Sequence, residues 1–243
     1  MTMLAVDKFA HECLPQNSPL MLHLGCGGKY WKGWCNIDAY PSCESDTHRG
    51  DLDIDPDVWC NITNIPCSPS SVDVIVTHHV LEHFYAYEVQ ILLTHFYSLL
   101  KPGGLLITEM PDLSRILFIL KYFPSLPKYS HNLNGRNVVL SQLYGASWES
   151  NSSGYPYHKY VWSRDEYCSA LQTNGFEVLL STGSTLSHLP FRDMAVIACK
   201  NSLTGSTNDN PLADKFIRQY GNYFIRCFRQ LRSIVSLLRN KVF

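Results

Sequence analysis

Along the first 200 residues, short apolar runs alternate with longer stretches of helical periodicity. Six runs have the length and composition of buried strands: Leu20 to Leu24, Trp34 to Ile37, Val72 to Thr77, Leu105 to Thr108, Phe176 to Leu180 and Met194 to Cys199. Between the third and fourth runs, Val89, Leu92, Leu93, Phe96, Leu99 and Leu100 recur every three or four residues across Ala86 to Leu100, the stripe of a helix laid on a sheet. Ser163-Arg-Asp-Glu166 is a capping-box string that opens another helix, and Asn174-Gly175 ends it. Strand, helix and strand in alternation predict an α/β fold, a mostly parallel central sheet with helices on both faces. The polar stretch from Asn201 to Asn210 reads as a linker between this domain, residues 1–200, and a tail, residues 211–243. In the tail Phe224, Phe228, Leu231, Val235, Leu238 and Val242 keep helical spacing, while Arg218, Arg226 and Arg229 fall on another side.

Composition narrows the function classes. A chain of 243 residues that is 45% hydrophobic and 17% charged can bury a core. Twenty basic against 21 acidic residues, a formal charge of −1, argue against a phosphate-neutralising surface over the whole protein, so no nucleic-acid partner is expected. The charge is unevenly placed: residues 211–243 hold seven Lys and Arg against one acid, leaving 13 basic and 20 acidic residues in the first 210. A basic amphipathic helix can lie on an anionic membrane surface, pack on its own domain or pair with another chain, and all three remain open at this stage. No run approaches the roughly 18 apolar residues of a spanning helix. The N-terminal string MTMLAVDKFAHECLP lacks the basic start and long apolar middle of a secretory signal, so a reducing cytoplasmic location is expected, peripheral at the inner face of a membrane if the tail binds there. In that compartment the nine cysteines, with no C-x-x-C pair, read as free packing thiols. Asn61-Ile-Thr63 and Asn151-Ser-Ser153 match the glycosylation pattern but would not meet that machinery.

The first motif with chemical content is Leu24-Gly25-Cys26-Gly27-Gly28, a glycine turn after a strand, where backbone can approach a ligand. The next strand ends at Asp38, 13 residues after Gly25, where a carboxylate can accept from both hydroxyls of a ribose. A dinucleotide fold would place that acid roughly 20 residues on and keep a third glycine for a pyrophosphate. Adenosine without a diphosphate fits better.

His23-Leu-Gly-Cys-Gly27, Asn36-Ile-Asp38, Asn61-Ile-Thr-Asn-Ile-Pro66, Ser71-Val-Asp-Val-Ile-Val-Thr-His-His-Val-Leu-Glu-His83 and Leu100-Lys-Pro-Gly-Gly104, in that order and spacing, resemble the class I S-adenosylmethionine-dependent methyltransferases, type 11-like. Leu143-Tyr-Gly145, His158-Lys159 and the helix ending in Asn174-Gly-Phe176 resemble a bacterial-type branch common among cell-surface carbohydrate genes. The likeness spans residues 20–112 and 142–199. It implies a Rossmann-like domain with S-adenosyl-L-methionine as cofactor. Gly25, Cys26 and Gly27 would lie against its methionine part, Asp38 would hold the ribose, Asn61 and Ile62 would border the adenine, and Thr77, His78 and His79 would line the floor beneath the sulfonium. Two features depart from the family: His23 stands where many members carry an acid, and the crossover from Gly25 to Gly33 is nine residues, too short for the usual helix.

For the acceptor, an alcohol needs its proton removed as the new bond forms, and histidine is suited to that. His158, in the aromatic segment Tyr155-Pro-Tyr-His-Lys-Tyr160, is the first choice of base, with His79 and Glu109 behind it. Residues 111–160 read as a substrate lid. The expected activity is O-methylation of a sugar or other small acceptor; a lipid-linked acceptor at a membrane surface, or a Rossmann-like binding module without turnover, are the alternatives. His79-Val-Leu-Glu82-His83 also reads as the H-x-x-E-H string of zinc peptidases, but the same residues fall where the methyltransferases carry V-L-E-H, and no metal is expected. Asp51-Leu-Asp-Ile-Asp55 fails as a calcium loop because Pro56 replaces the required glycine and Ile62 the bidentate glutamate. Neither a Pro-Cys dipeptide after the fourth strand nor an Asn-Pro-Pro-aromatic string is present, so two large classes of DNA base methylation lack support.

Overall fold

The computed structural model describes residues 3–39, 55–122, 143–145, 157–183, 192–201 and 211–221. Five helices and seven strands are described: α1 (Ala5–Cys13), β1 (Met21–Leu24), β2 (Cys35–Asp38), β3 (Val58–Trp59), β4 (Val72–His78), α2 (Ala86–Leu99), β5 (Leu100–Pro111), α3 (Leu113–Tyr122), α4 (Arg164–Thr173), β6 (Phe176–Gly183), β7 (Asp193–Lys200) and α5 (Pro211–Gly221). Short 3₁₀ turns cover Ile62–Asn64 and Leu81–His83. The strands form one sheet in the order β3-β2-β1-β4-β5-β7-β6. The pairs from β3 through β5 are parallel, whereas β7 runs antiparallel to both β5 and β6.

All six expected strands are present. The seventh, β3, is a two-residue edge strand whose Val58 and Trp59 pair with Ile37 and Asp38, too short to leave a periodic signal. Helix α2 buries Val89, Leu92, Leu93, Phe96 and Leu99, the expected stripe, and Glu88 accepts from the Tyr85 N–H at its start. In α4, Ser163 accepts from the Glu166 N–H, but the Glu166 carboxylate receives the Tyr160 hydroxyl, so only one arm of the capping box forms.

Each face of the sheet has its own core. One holds Leu22, Leu24, Ile37, Ile75 and Leu106 under α1, α2 and α4. The other holds Val74, Val76, Leu105, Ile107 and Ile197, covered by Ala213, Phe216 and Tyr220 of α5 with Trp31 and Trp34 beside them. The short crossover explains this arrangement. Residues 25–34 form turns and no helix, so part of the second face needs another cover. Asn36 builds the loop that replaces the helix: its Oδ1 accepts from the Trp31 N–H at 2.9 Å, and its Nδ2 donates to the Trp31 and Trp34 carbonyls and to Asp57. Trp31 stacks on His23 with ring centroids 3.9 Å apart, and Trp34 meets Phe216 edge-on at 6.2 Å. The described start of the basic tail thus lies on its own domain. The linker at 202–210, the tail beyond Gly221 and, in the lid region, residues 123–142 and 146–156 lie outside the described residues. No described helix is long and apolar enough to cross a membrane.

Candidate active site

The sheet order reverses between β1 and β4, and in open α/β sheets ligands bind at the carboxyl ends of the strands flanking such a point. Gly25 and Gly27 follow β1 with φ of 66° and 50°. The N–H groups of Gly25 and Cys26 both donate to the Ile37 carbonyl, folding the turn over the end of β2. A Cβ on Gly25 would stand 2.5 Å from Val80 Cγ2, so the turn is pressed against the segment that leaves β4. Burial raises the Cys26 thiol to about 12, with the Asp38 charge adding to it, so this sulfur is a neutral packing group.

Asp38 is buried at the end of β2, its Oδ2 accepting from the Gly27 N–H at 2.7 Å and its Oδ1 from the Ala39 N–H at 2.8 Å. Asn61 and Ile62 follow β3 at the same edge, with the Cys60 N–H donating to the Asp38 carbonyl. The Asn61 side chain accepts from the Thr63 N–H and hydroxyl, and Ile62 is buried. A cavity of about 550 Å³ opens on the turn, lined by Cys26, Gly27, Gly28, Tyr30, Asp55 and Asp57. His23, at the family's acidic position, is buried inside β1; its Nδ1–H donates to Asn36 Oδ1 at 3.1 Å, and burial lowers its pKa, which keeps it neutral. It braces the crossover loop.

At the end of β4, Thr77 is buried between Leu24 and Thr108 in the sheet register. His78 pairs with Glu109 across β4 and β5, with 3.9 Å between His78 Nε2 and Glu109 Oε1. Burial and the neighbouring His79 push the His78 pKa down to about 3, so the ring is neutral at pH 7. His79 adopts a left-handed backbone, φ 55°, unusual for a residue with a side chain. Its Nδ1 lies 2.9 Å from Glu82 Oε1 and its Nε2 3.3 Å from Asp193 Oδ2. Burial opposes charge on this ring, but the hydrogen bonds to Asp193 and Glu82 prevail and raise its pKa to about 10. Burial likewise opposes charge on the two carboxylates; hydrogen bonding to His79 lowers Glu82 to about 2, and His79 with Arg192 holds Asp193 well below the usual range. Both nitrogens of His79 thus face carboxylates, which favours the charged ring. The two carboxylates fix the ring from both sides.

The His158 ring lies 5.0 Å from that of His83, and a donor atom of His158 lies within 4.8 Å of a Glu82 carboxylate oxygen. The N–H groups of Lys159 and Tyr160 donate to the Glu82 carbonyl, tying this segment to the 3₁₀ turn. Nothing local in the sequence points to Arg192 and Asp193: they join the site because β7 inserts antiparallel beside β5, opposing Asp193 to Pro111.

A sheet of this order, with a glycine turn after β1 and a buried acid ending β2, defines the Rossmann-like class I methyltransferases, which use S-adenosylmethionine. The model of the family described as Methyltransferase domain matches residues 8–181, and the chain belongs to that family. No curated protein matches the sequence. Among solved structures, the chain is similar to a SAM-dependent methyltransferase from Methanosarcina mazei, at 16% identity and TM-score 0.50, covering 80% of this chain and 97% of that one. A SAM-dependent methyltransferase from Archaeoglobus fulgidus follows at 14% identity and TM-score 0.47, covering 76% and 87%. The 1,6-didemethyltoxoflavin-N1-methyltransferase of Burkholderia thailandensis, solved with S-adenosylhomocysteine, gives 13% identity and TM-score 0.47 over 80% and 75%.

Proposed function

We propose that this S-adenosylmethionine-dependent methyltransferase methylates an oxygen of a sugar or a similar small polyhydroxylated acceptor. The cofactor supplies an electrophilic methyl group on sulfur. Its binding is assigned to Gly25, Cys26 and Gly27 at the methionine part, Asp38 at the ribose, Asn61 and Ile62 around the adenine, and Thr77 and His78 below the sulfonium. The observation that carries this assignment is the turn itself: the lack of a Cβ at Gly25 lets the chain close on Val80, and the Gly27 N–H orients the buried Asp38 carboxylate.

The acceptor reading draws support from the surroundings of the 3₁₀ turn. Tyr85 and Tyr87 are exposed and stacked, with centroids 5.9 Å apart, and Lys159 lies 5.0 Å over the Tyr85 ring. Flat aromatic faces beside imidazoles suit a sugar ring, which offers C–H to one and hydroxyls to the other. His158 is assigned to the acceptor side, next to the hydroxyl to be methylated, and Glu109 to the wall next to His78. A lipid-linked form of the same acceptor is the second reading, for which the exposed Leu117, Phe118 and Tyr122 of α3 offer apolar surface.

Calorimetric titration with S-adenosylhomocysteine tests the cofactor assignment. Wild type should bind and Asp38→Ala should bind at least about tenfold more weakly, the loss of one charged hydrogen-bonding group; equal affinities would remove Asp38 from the site. Transfer of labelled methyl to a panel of sugars and sugar nucleotides, with proteins and quinones as comparators, tests the acceptor class.

A further inference from the structure

One donor atom from each of Glu82, His83 and His158 lies within 4.8 Å of the other two. We propose that these three side chains form a site for one divalent transition-metal ion of the zinc type, with at least one coordination position left open.

Distance comes first. An ion centred among three atoms so spaced is no farther than about 2.8 Å from any of them, and small side-chain rotations bring that to the ~2.0–2.2 Å of zinc–imidazole and zinc–carboxylate bonds. The second argument is an orphan. Glu82 is 1% exposed and its Oε2, buried, has no hydrogen-bond partner among the described residues. A desolvated carboxylate oxygen with no donor is unfavourable, and a cation relieves it. Third, the His83 Nδ1–H donates to the Tyr157 carbonyl at 3.1 Å, which fixes the tautomer and leaves the lone pair on Nε2, the arrangement typical of a metal-bound histidine.

The frame is rigid as well. Two backbone bonds from residues 159 and 160 to the Glu82 carbonyl, 2.8 and 3.3 Å, hold His158 against the turn that carries the other two ligands. Glu82 Oε1 is held by His79, and His79 by Asp193, an outer shell that orients the ligating carboxylate. Two imidazoles and one carboxylate select a borderline metal over magnesium or calcium, which prefer oxygen donors. This is not the peptidase arrangement, which would use His79 and His83 as ligands and Glu82 as a base; here His79 belongs to the outer shell, and His158, 75 residues from His83, completes the set. An acceptor hydroxyl on the open position would become more acidic, which deepens the methyl-transfer reading, but the site rests on its own geometry.

The test uses the full-length protein, stripped with a chelator and titrated with Co²⁺. Saturation at one equivalent with d–d absorption, and no thiolate-to-cobalt charge-transfer absorption, is expected. His83→Ala and His158→Ala should each weaken binding by about 100-fold or more, while His11→Ala on the exposed face of α1 should bind as wild type does. Absence of one-to-one binding, a thiolate band placing the ion on cysteines, or unchanged affinity in both ligand variants would overturn the site. Should one variant fail to fold, the other and the wild-type spectrum still decide. Titration of S-adenosylhomocysteine into the same stripped protein reports separately on the cofactor assignment, since loss of that binding leaves the metal result standing and the reverse is equally true.

Discussion

Gly25 meets two constraints at once, a φ of +66° and a Val80 methyl 2.5 Å from where its Cβ would be. Alanine there must strain the backbone and displace Val80, so Gly25→Ala should lower stability by about 2 kcal/mol and weaken S-adenosylhomocysteine binding. Adding Val80→Ala should recover the steric part only; denaturant unfolding of the single and double variants measures both. His78 allows a pH argument. Burial depresses its pKa from 6.5 to about 3, so between those values the unfolded chain binds a proton that the folded chain does not. Stability therefore falls as pH drops from about 6.5 toward 3, at up to ~1.4 kcal/mol per unit for one full proton. His78→Gln should flatten that part of the stability–pH curve, and a curve parallel to wild type would show that another group controls acid lability.

Among the elements, the short β1–β2 crossover and α5 are two parts of one solution. Without a crossover helix, the second sheet face is closed by Trp31, Trp34 and the buried Phe216 and Tyr220. Phe216→Ala should be destabilising by about 3 kcal/mol, the scale of a buried aromatic removed without refilling. Asn36→Ala should cause a loss of similar size, because it strands the His23 Nδ1–H and two tryptophan carbonyls in a buried loop. Thermal unfolding of each variant checks both values. The helical stripe of α2 was legible because its apolar positions repeat at the helical period. β3 was not, because two residues cannot show a period.

For the molecule as a whole, the residues proposed to hold the cofactor come from the ends of β1, β2 and β4 and from the turn after β3, so ligand binding there would tie together segments that no single element spans. S-adenosylhomocysteine at about 100 times its dissociation constant should stabilise the fold by ~2.7 kcal/mol, raising the melting temperature by roughly 5–10 °C. Asp38→Ala should show a much smaller shift at the same ligand concentration. The docking of α5 also bears on the tail: since Ala213, Phe216 and Tyr220 already face the sheet, an amphipathic contact with anionic vesicles would have to come from beyond residue 221. Removing residues 222–243 should then abolish any such binding, and retention by the shortened chain would assign it to the domain. The strand succession, the glycine turn, Asp38 and the methyltransferase resemblance were all readable from the sequence alone, because each rests on local periodicity or on residues at short, ordered spacing. The strand order with β7 antiparallel, the closing of Glu82 and Asp193 on His79 and the meeting of His158 with His83 were decided only by tertiary structure. Those contacts join residues far apart in the chain, and their strength comes from burial, which has no local signature.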